Sequence, residues 1–150
     1  MNANVNRRHF LKATALGATA LSMTAHSYGR IMNANERIRL AQIGCGGRGI
    51  HAHMKGVHKH DKDQNVEYVA VSDPWRVARE EAAAHCKEWY GTDVKKFVSY
   101  RDIMALDDVD AVLIASPDHH HAVQLVAAAK TKKHVYVEKP MARNMPELLR

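Results

Sequence analysis

The chain contains little cysteine and few aromatic residues. Only Cys45 and Cys86 occur among 150 residues, which excludes a disulfide framework and a zinc site made of spaced cysteines. We expect both to be small buried residues, and a bridge between them is the alternative. Aromatic residues make up 6% of the chain, and no run of Lys and Arg is interleaved with them. We therefore expect no nucleic-acid partner.

Acidic residues are absent from the first 27 positions, which carry half of the net charge of +6, including Arg7 and Arg8. Residues 13–25 are rich in Ala, Gly and Thr and are too short for a comfortable membrane span. The segment resembles a twin-arginine export signal with an A-x-A-like cleavage site at 25–27. We expect residues 1–27 to be a signal peptide, the twin-arginine translocase to be a partner, and the folded protein to be periplasmic. The alternative is an amphipathic or unstructured N-terminal arm.

Beyond residue 36, apolar runs of strand length alternate with segments of helical spacing. This alternation predicts an α/β fold, a Rossmann-type doubly wound parallel sheet with helices on both faces. Residues 28–36 are predicted to be a linker, and residues 37–150 the domain. The predicted strands are 37–43, 66–72, 97–98, 111–115 and 134–138, and the predicted helices are 48–59, 74–90, 101–105, 122–130 and 145–150.

A Gly-x-Gly-x-x-Gly pattern lies where the first predicted strand is followed by the first helix. In a dinucleotide-binding turn, Gly44 permits the tight turn, Gly46 lets the backbone approach a pyrophosphate, and Gly49 lets the helix pack closely. Gly47 and Arg48 complete the predicted phosphate-binding loop. Free N–H groups at the start of the helix, together with its dipole, supply the anion site. The same pattern also occurs in methyltransferases and in structural bends, so it requires a second signal.

An acidic residue at the end of the second predicted strand supplies that signal. Asp73 lies 24 residues beyond the last glycine, the place of a carboxylate that accepts hydrogen bonds from the adenosine ribose. Its charge repels a 2′-phosphate, so we expect NAD rather than NADP as the cofactor. Arg76 is a candidate for contact with a phosphate or with adenine. The alternative is a solvated residue in the first turn of the next helix.

Two further loops follow predicted strands, and in an open α/β sheet the ligand lies beyond the carboxyl ends of the strands. The first loop reads Ser-Pro-Asp-His-His-His at 116–121, and the second reads Glu-Lys-Pro at 138–140. The three adjacent histidines are an alternative metal site, but neighbours at a helix start point in different directions, and we expect no metal. The histidines of the first helix are expected to be solvated: His51, His53, His58 and His60.

The glycine loop, Asp73 and these two loops together resemble the glucose-fructose oxidoreductase/inositol dehydrogenase (Gfo/Idh/MocA) family, over nearly the whole chain after the signal. In that family the first of these loops commonly reads T-P-N-x-x-H and the second reads E-K-P. The triplet at 138–140 agrees fully, whereas Ser116 and Asp118 replace the usual Thr and Asn. That loop's hydrogen bonds to the cofactor are therefore not carried over. The resemblance implies that Ser116, Pro117 and His121 line the cofactor cleft, and that Glu138 and Lys139 reach the nicotinamide ribose and the substrate.

The family resemblance implies hydride transfer at the hydroxyl of a small carbohydrate or cyclitol. Lys139 is the catalytic candidate, because a cation near a hydroxyl stabilises alkoxide character on its oxygen during hydride transfer. Its alternatives are a pair with Glu138 or a solvated lysine. The resemblance also implies a second, α+β substrate domain that is absent from these 150 residues. We expect this chain alone not to turn over and the longer protein to be a homo-oligomer.

Two other functions stay open at this point. NAD-dependent glycosidases of related fold oxidise the sugar transiently and return the hydride, although the intact Glu-Lys-Pro triplet at 138–140 disfavours them. The second is a non-catalytic nucleotide-binding fragment.

Overall fold

Five parallel strands form one sheet in the computed structural model, which describes residues 37–149. The predicted signal peptide (1–27) and linker (28–36) lie outside the described residues. The parallel α/β fold that the alternating pattern predicts is confirmed. The strands are β1 (Ile38–Ile43), β2 (Val66–Ser72), β3 (Lys95–Phe97), β4 (Ala111–Ile114) and β5 (His134–Val137).

The strand order across the sheet is β3-β2-β1-β4-β5, so the chain builds outward from β1 in one direction and then returns to build in the other. The connections after β1 and β4, which are neighbours in the sheet, therefore leave toward opposite sides. Such a point of reversal opens a crevice at the carboxyl ends of the strands. The topology alone thus locates the place for a ligand.

The helices begin and end within two residues of most of the predicted bounds. Trp75 has an extended backbone (φ −78°, ψ 110°), so the third helix starts at Arg76 rather than at 74, and Gly91 ends it at φ +72°. Ser99 caps the following helix, which shifts its start to Tyr100. The helices are α1 (π-helical Arg48–Met54, continued by the α-helical turn Lys55–His58), α2 (Asp61–Gln64), α3 (Arg76–Tyr90), α4 (Tyr100–Met104), α5 (His121–Lys130, preceded by a 3₁₀ turn at Asp118–His120) and α6 (Met145–Leu148).

Two separate clusters of buried side chains lie on the two faces of the sheet. Alternation along β1 sends Leu40 to one face and Ala41 and Ile43 to the other. The first face packs against α1 and α3, and the second against α4 and α5. Each face is covered by helices, which explains why β4 is apolar throughout rather than alternating with polar residues.

The cysteines and the tryptophan of α3 support the first of these faces. Cys45 and Cys86 are both fully buried and unbridged, and burial raises the pKa of each thiol to about 12. His58 stacks on Trp89 with ring centroids 4.2 Å apart and contacts the carboxylate of Asp61 at 2.6 Å. The expectation of a solvated His58 is therefore wrong, because its half-buried ring packs on Trp89 of α3.

Among residues 37–149, no helix is long and apolar enough to cross a membrane.

Candidate active site

A cleft of about 660 Å³ lies at the carboxyl ends of β1, β2 and β4, where the strand order reverses. Its walls come from four connections that are far apart in the sequence. The lining residues include the glycine loop (Gly44, Gly46, Gly47, Arg48), the end of β2 (Ser72, Asp73, Pro74), the segment Val98, Ser99 and Tyr100, and the loop after β4 (Ser116, Pro117, His120, with Gln124).

Two glycines of the loop are required by close backbone contacts. Gly44 has φ +84°, and a Cβ on it would lie 2.5 Å from the backbone nitrogen of Ser116. A Cβ on Gly49 would lie 2.0 Å from the carbonyl oxygen of Gly44. Atoms do not approach so closely, so the loop packs against the end of β4 and α1 packs against the loop only with glycine at both positions.

The other two glycines of the loop, Gly46 and Gly47, are not required by close packing. A Cβ on Gly46 would meet no atom within 4 Å, although Gly46 lines the cleft. Within residues 37–149, the amide groups of Gly46 and Gly47 donate to no backbone carbonyl. The first turn of α1 is closed by Ile50 N–H, which donates to Gly46 O at 3.0 Å. These amides and the start of α1 are the groups that bind anions at helix N-termini. The loop therefore has the room and the donors that a pyrophosphate requires.

Asp73 lies beside the loop, at the end of β2. One carboxylate oxygen accepts from the backbone N–H of Cys45 at 2.8 Å, and the other accepts from Trp75 N–H at 2.8 Å. A carboxylate can accept about four hydrogen bonds, so lone pairs stay free for a ribose. Asp73 thus also stabilises the loop, a role that sequence spacing did not predict.

Arg76 and Arg79 lie in the first turns of α3, and only the second contacts the site. Arg79 Nη1 donates to the carbonyl oxygen of Asp73 at 2.6 Å. Arg76 is exposed and does not line the cleft, so its predicted contact with a phosphate or adenine stays a prediction. The half-buried Tyr100 lines the cleft instead, with the guanidinium of Arg101 5.2 Å from its ring centre.

A second cavity, of about 390 Å³, adjoins the cleft and shares Arg48 and Ser116 with it. Lys139 is exposed at its wall, and His121 and Glu138 line it as well. Among the described residues, no carboxylate forms a salt bridge with the ammonium of Lys139, because Glu138 pairs elsewhere. The cation is therefore available to a ligand in this cavity, and the alternative of a Glu138–Lys139 pair is not what the structure contains.

Glu138 links β5 to α1. Its Oε1 accepts from Arg48 Nε at 2.6 Å and lies 2.7 Å from His53 Nε2. The hydrogen bond from Arg48 and, to a smaller extent, the one from His53 lower the pKa of the Glu138 carboxyl to about 2. The expectation of a solvated His53 is wrong, since it is buried and its ring lies edge-on to Tyr136. Helical spacing could not reveal this contact, because the partner is 85 residues away in the sequence.

His121 connects the loops after β4 and β5. Its Nδ1 lies 2.8 Å from the carbonyl oxygen of Pro140, and its Nε2 lies 2.7 Å from that of Ser116. The ring is buried and both nitrogens are engaged, so His121 lines the second cavity as a brace between loops. His120 lines the first cleft. Its pKa is lowered mainly by burial and to a smaller extent by the charge of His119. Within residues 37–149, no group of side chains is arranged to hold a metal ion.

Sequence comparison agrees with this geometry. Residues 38–150 match the Gfo/Idh/MocA family described as an oxidoreductase family with an NAD-binding Rossmann fold. The chain belongs to the Gfo/Idh/MocA family. The domain therefore binds NAD(P), as the glycine loop and Asp73 predict.

One group of curated relatives carries the name of a glycosyl hydrolase family. A glycosyl hydrolase family 109 protein of Shewanella sp. (strain ANA-3) is 32% identical over 165 residues, which cover 95% of this chain and 35% of the relative. The chain thus spans about a third of the length of the curated relatives it matches.

Two solved structures show the same fold. The WlbA dehydrogenase of Bordetella pertussis, in complex with NADH and UDP-GlcNAcA, has a TM-score of 0.64 and 28% identity over 74% of this chain and 32% of its own. A putative myo-inositol dehydrogenase of Sinorhizobium meliloti has a TM-score of 0.63 and 26% identity over 75% of this chain and 31% of its own.

Proposed function

We propose that the protein containing this chain transfers hydride between NAD and a hydroxyl-bearing carbon of a carbohydrate or cyclitol. The observation that carries the proposal is a pair of adjoining cavities, one lined by the glycine loop and the other by Lys139, whose ammonium forms no salt bridge within residues 37–149. A nucleotide bound in the first cavity would lie next to a cation in the second. The dehydrogenases of similar fold, one bound to NADH and a sugar nucleotide, support the same reaction class.

The cofactor would be held by backbone groups at its pyrophosphate and by a side chain at its adenosine ribose. The amides of Gly46 and Gly47 would bind the pyrophosphate, and Asp73 would accept from the adenosine ribose. We favour NAD over NADP, because the Asp73 carboxylate repels a 2′-phosphate. When bound, the nicotinamide supplies the hydride acceptor or donor. Ser116 and Pro117 line the same cleft and would exclude water from one side.

Lys139 would be the residue that stabilises charge on the substrate. Oxidation of a substrate hydroxyl would release its proton to water and its hydride to the nicotinamide. The Lys139 ammonium, at the wall of the second cavity, would stabilise the alkoxide charge that the oxygen carries between these two losses. Glu138 would act through its bonds to Arg48 and His53, which hold the end of β5 against α1. Lys139 is thus catalytic in this proposal, and Glu138 positions the strand end from which it projects.

A second candidate function is glycoside hydrolysis by transient oxidation of the sugar. The observation that favours it is the 32% identity to a relative named as a glycosyl hydrolase. In such a cycle the hydride removed from the sugar returns to it after the glycosidic bond is broken, so no net oxidation occurs. Both candidates require NAD in the same cleft.

The test uses the natural full-length protein. Nucleotide released on denaturation is identified by mass spectrometry, and a panel of sugars, cyclitols and aryl glycosides is assayed for absorbance change at 340 nm and for aglycone release. Net reduction of NAD supports the oxidoreductase, and aglycone release without net reduction supports the hydrolase. If NAD is bound but neither reaction occurs, the protein only binds nucleotide, and both candidate functions are contradicted.

A variant of Lys139 tests its catalytic role. Lys139→Met is expected to lower kcat at least about 100-fold while NADH affinity is retained. The control is Lys130→Met, at the exposed end of α5.

We also propose that the protein is exported in folded form by the twin-arginine translocase and is a periplasmic homo-oligomer. The support is the Arg7-Arg8 pair ahead of a short apolar stretch without acids. Replacing both arginines with lysine is expected to keep the protein in the cytoplasm, as measured by cell fractionation. Export of the double variant at the parent level would contradict the proposal. Sedimentation of the purified protein would reveal its oligomeric state.

A further inference from the structure

We propose that Gln42 is a positioning residue that holds the glycine loop in its NAD-binding shape. The inference rests on the NAD binding of the proposed function and goes beyond the glycine pattern. Gln42 lies in β1, the central strand, and is completely buried. Its register partners in the neighbouring strands are Val71 and Leu113, both apolar. A glutamine at such a place needs a reason, because a buried amide lowers stability unless it is hydrogen-bonded.

The side chain of Gln42 reaches forward along its own strand into the loop. Its Nε2 donates to the carbonyl oxygen of Gly44 at 3.0 Å and lies 3.4 Å from that of Ile43. Only the nitrogen can donate to a carbonyl, which determines the orientation of the amide. Within the described residues, Oε1 of Gln42 is buried without a partner. The side-chain amide thus donates to a loop carbonyl while its own oxygen lacks a hydrogen bond. This is expected of a residue whose role is to position the loop rather than to stabilise the fold.

One peptide unit of the loop is held at both of its polar atoms. Gln42 binds the carbonyl of Gly44, and the N–H of the following residue, Cys45, donates to Asp73 at 2.8 Å. With both atoms bound, rotation of this peptide plane would break two hydrogen bonds. One of the two side chains comes from β1 and the other from the residue that follows the adjacent strand β2, so the orientation of the plane depends on the sheet.

The same carbonyl is the contact surface for the start of α1. A Cβ on Gly49 would lie 2.0 Å from Gly44 O and 3.2 Å from Gln42 Nε2. The first turn of the helix therefore rests on a carbonyl that Gln42 holds. Releasing that carbonyl would let the loop sample other shapes, and the amides of Gly46 and Gly47 would no longer be preorganised for a pyrophosphate.

The test separates positioning from stability with Gln42→Met, which keeps the length of the side chain but removes the donor. Gln42→Leu is the second variant, and Val112→Ala, buried in β4, is the control for a general loss of packing. The measurements are NADH affinity on full-length protein stripped of nucleotide, the urea midpoint, and amide hydrogen exchange over 44–49. We expect Gln42→Met to weaken NADH about five- to tenfold and speed exchange in the loop, with the urea midpoint little changed.

The control variant is expected to behave in the opposite way, with a lower urea midpoint and parent-like NADH affinity. Parent-like NADH affinity in both Gln42 variants would overturn the role of Gln42. So would an equal loss of affinity in Val112→Ala, because packing alone would then explain it. Failure of the parent protein to bind NADH would instead overturn the NAD site itself and this role with it.

Discussion

The glycine loop after β1 and the loops after β4 and β5 lie along the same edge of the sheet, but different kinds of contact hold them. The glycine loop is shaped mainly by close backbone packing, in which Gly44 and Gly49 leave no room for a Cβ, and Gln42 and Asp73 hold one of its peptides. The other loops are held by side chains that cross between elements, namely His121 and the pair of Arg48 and His53 on Glu138. Backbone packing suits a ligand group common to all dinucleotides, whereas side-chain bridges can change with the substrate.

The largest effect is expected from Gly49→Ala in the glycine loop. The new Cβ would overlap the carbonyl of Gly44, which the backbone cannot move aside without distorting the loop. We expect a loss of about 3 kcal/mol or more in the free energy of unfolding and no measurable NADH binding.

A matched control for this substitution is Gly56→Ala on the same helix, where a Cβ would meet nothing within 4 Å. It is expected to preserve binding and to stabilise the helix slightly. Urea unfolding and NADH titration measure both variants. Wild-type binding by Gly49→Ala would show that side-chain bridges alone can hold the site.

The next largest effect is expected from His121→Leu. It removes the ring that links the part-buried carbonyls of Ser116 and Pro140, at about 1 kcal/mol for a lost hydrogen bond. Because these carbonyls belong to the loops on either side of Lys139, kcat is expected to fall more than NADH affinity. His119→Leu, on the exposed neighbour, should change neither quantity. If kcat and NADH affinity of His121→Leu both stay at parent values, the contacts of His121 do not organise the site.

A pH-dependent effect is expected from Glu138→Gln. Arg48 and His53 lower the pKa of Glu138 to about 2, so its carboxylate favours the folded state above its ordinary range near pH 4, and that contribution is lost as the pH falls toward 2. The urea midpoints of parent and variant should therefore differ most at neutral pH and converge below about pH 4. Glu81→Gln, on the exposed face of α3, should show no such convergence. A constant difference down to pH 2.5 would contradict the ion-pair explanation.

The smallest effect is expected from Arg76→Ala. Its side chain is exposed and lies outside the cleft walls, so NADH affinity should stay within about twofold of the parent value. A larger loss of NADPH than of NADH affinity would sharpen the comparison by showing that a side chain also recognises phosphate beside the glycine loop. Isothermal titration with both nucleotides measures this.

Much of the fold was predictable because its signals are local. Gly91 ended α3 where the sequence predicts, and the apolar run at 111–115 became β4 within one residue. The short β3 was placed two residues late, since its position depends on pairing with β2 rather than on its own apolar content. Local periodicity also misassigned His53, whose environment is decided by β5.

The sequence by itself determined the parallel α/β class, the glycine loop and the acidic residue after β2, because each depends on spacing within one or two elements. It also placed Lys139 at a strand end, where a ligand-facing residue is expected. Only the tertiary structure decided that Glu138 pairs with Arg48 and His53, that His121 joins two loops, and that Gln42 holds Gly44. These contacts join residues through the packing of the sheet and helices, and no spacing in the sequence encodes which donor meets which acceptor.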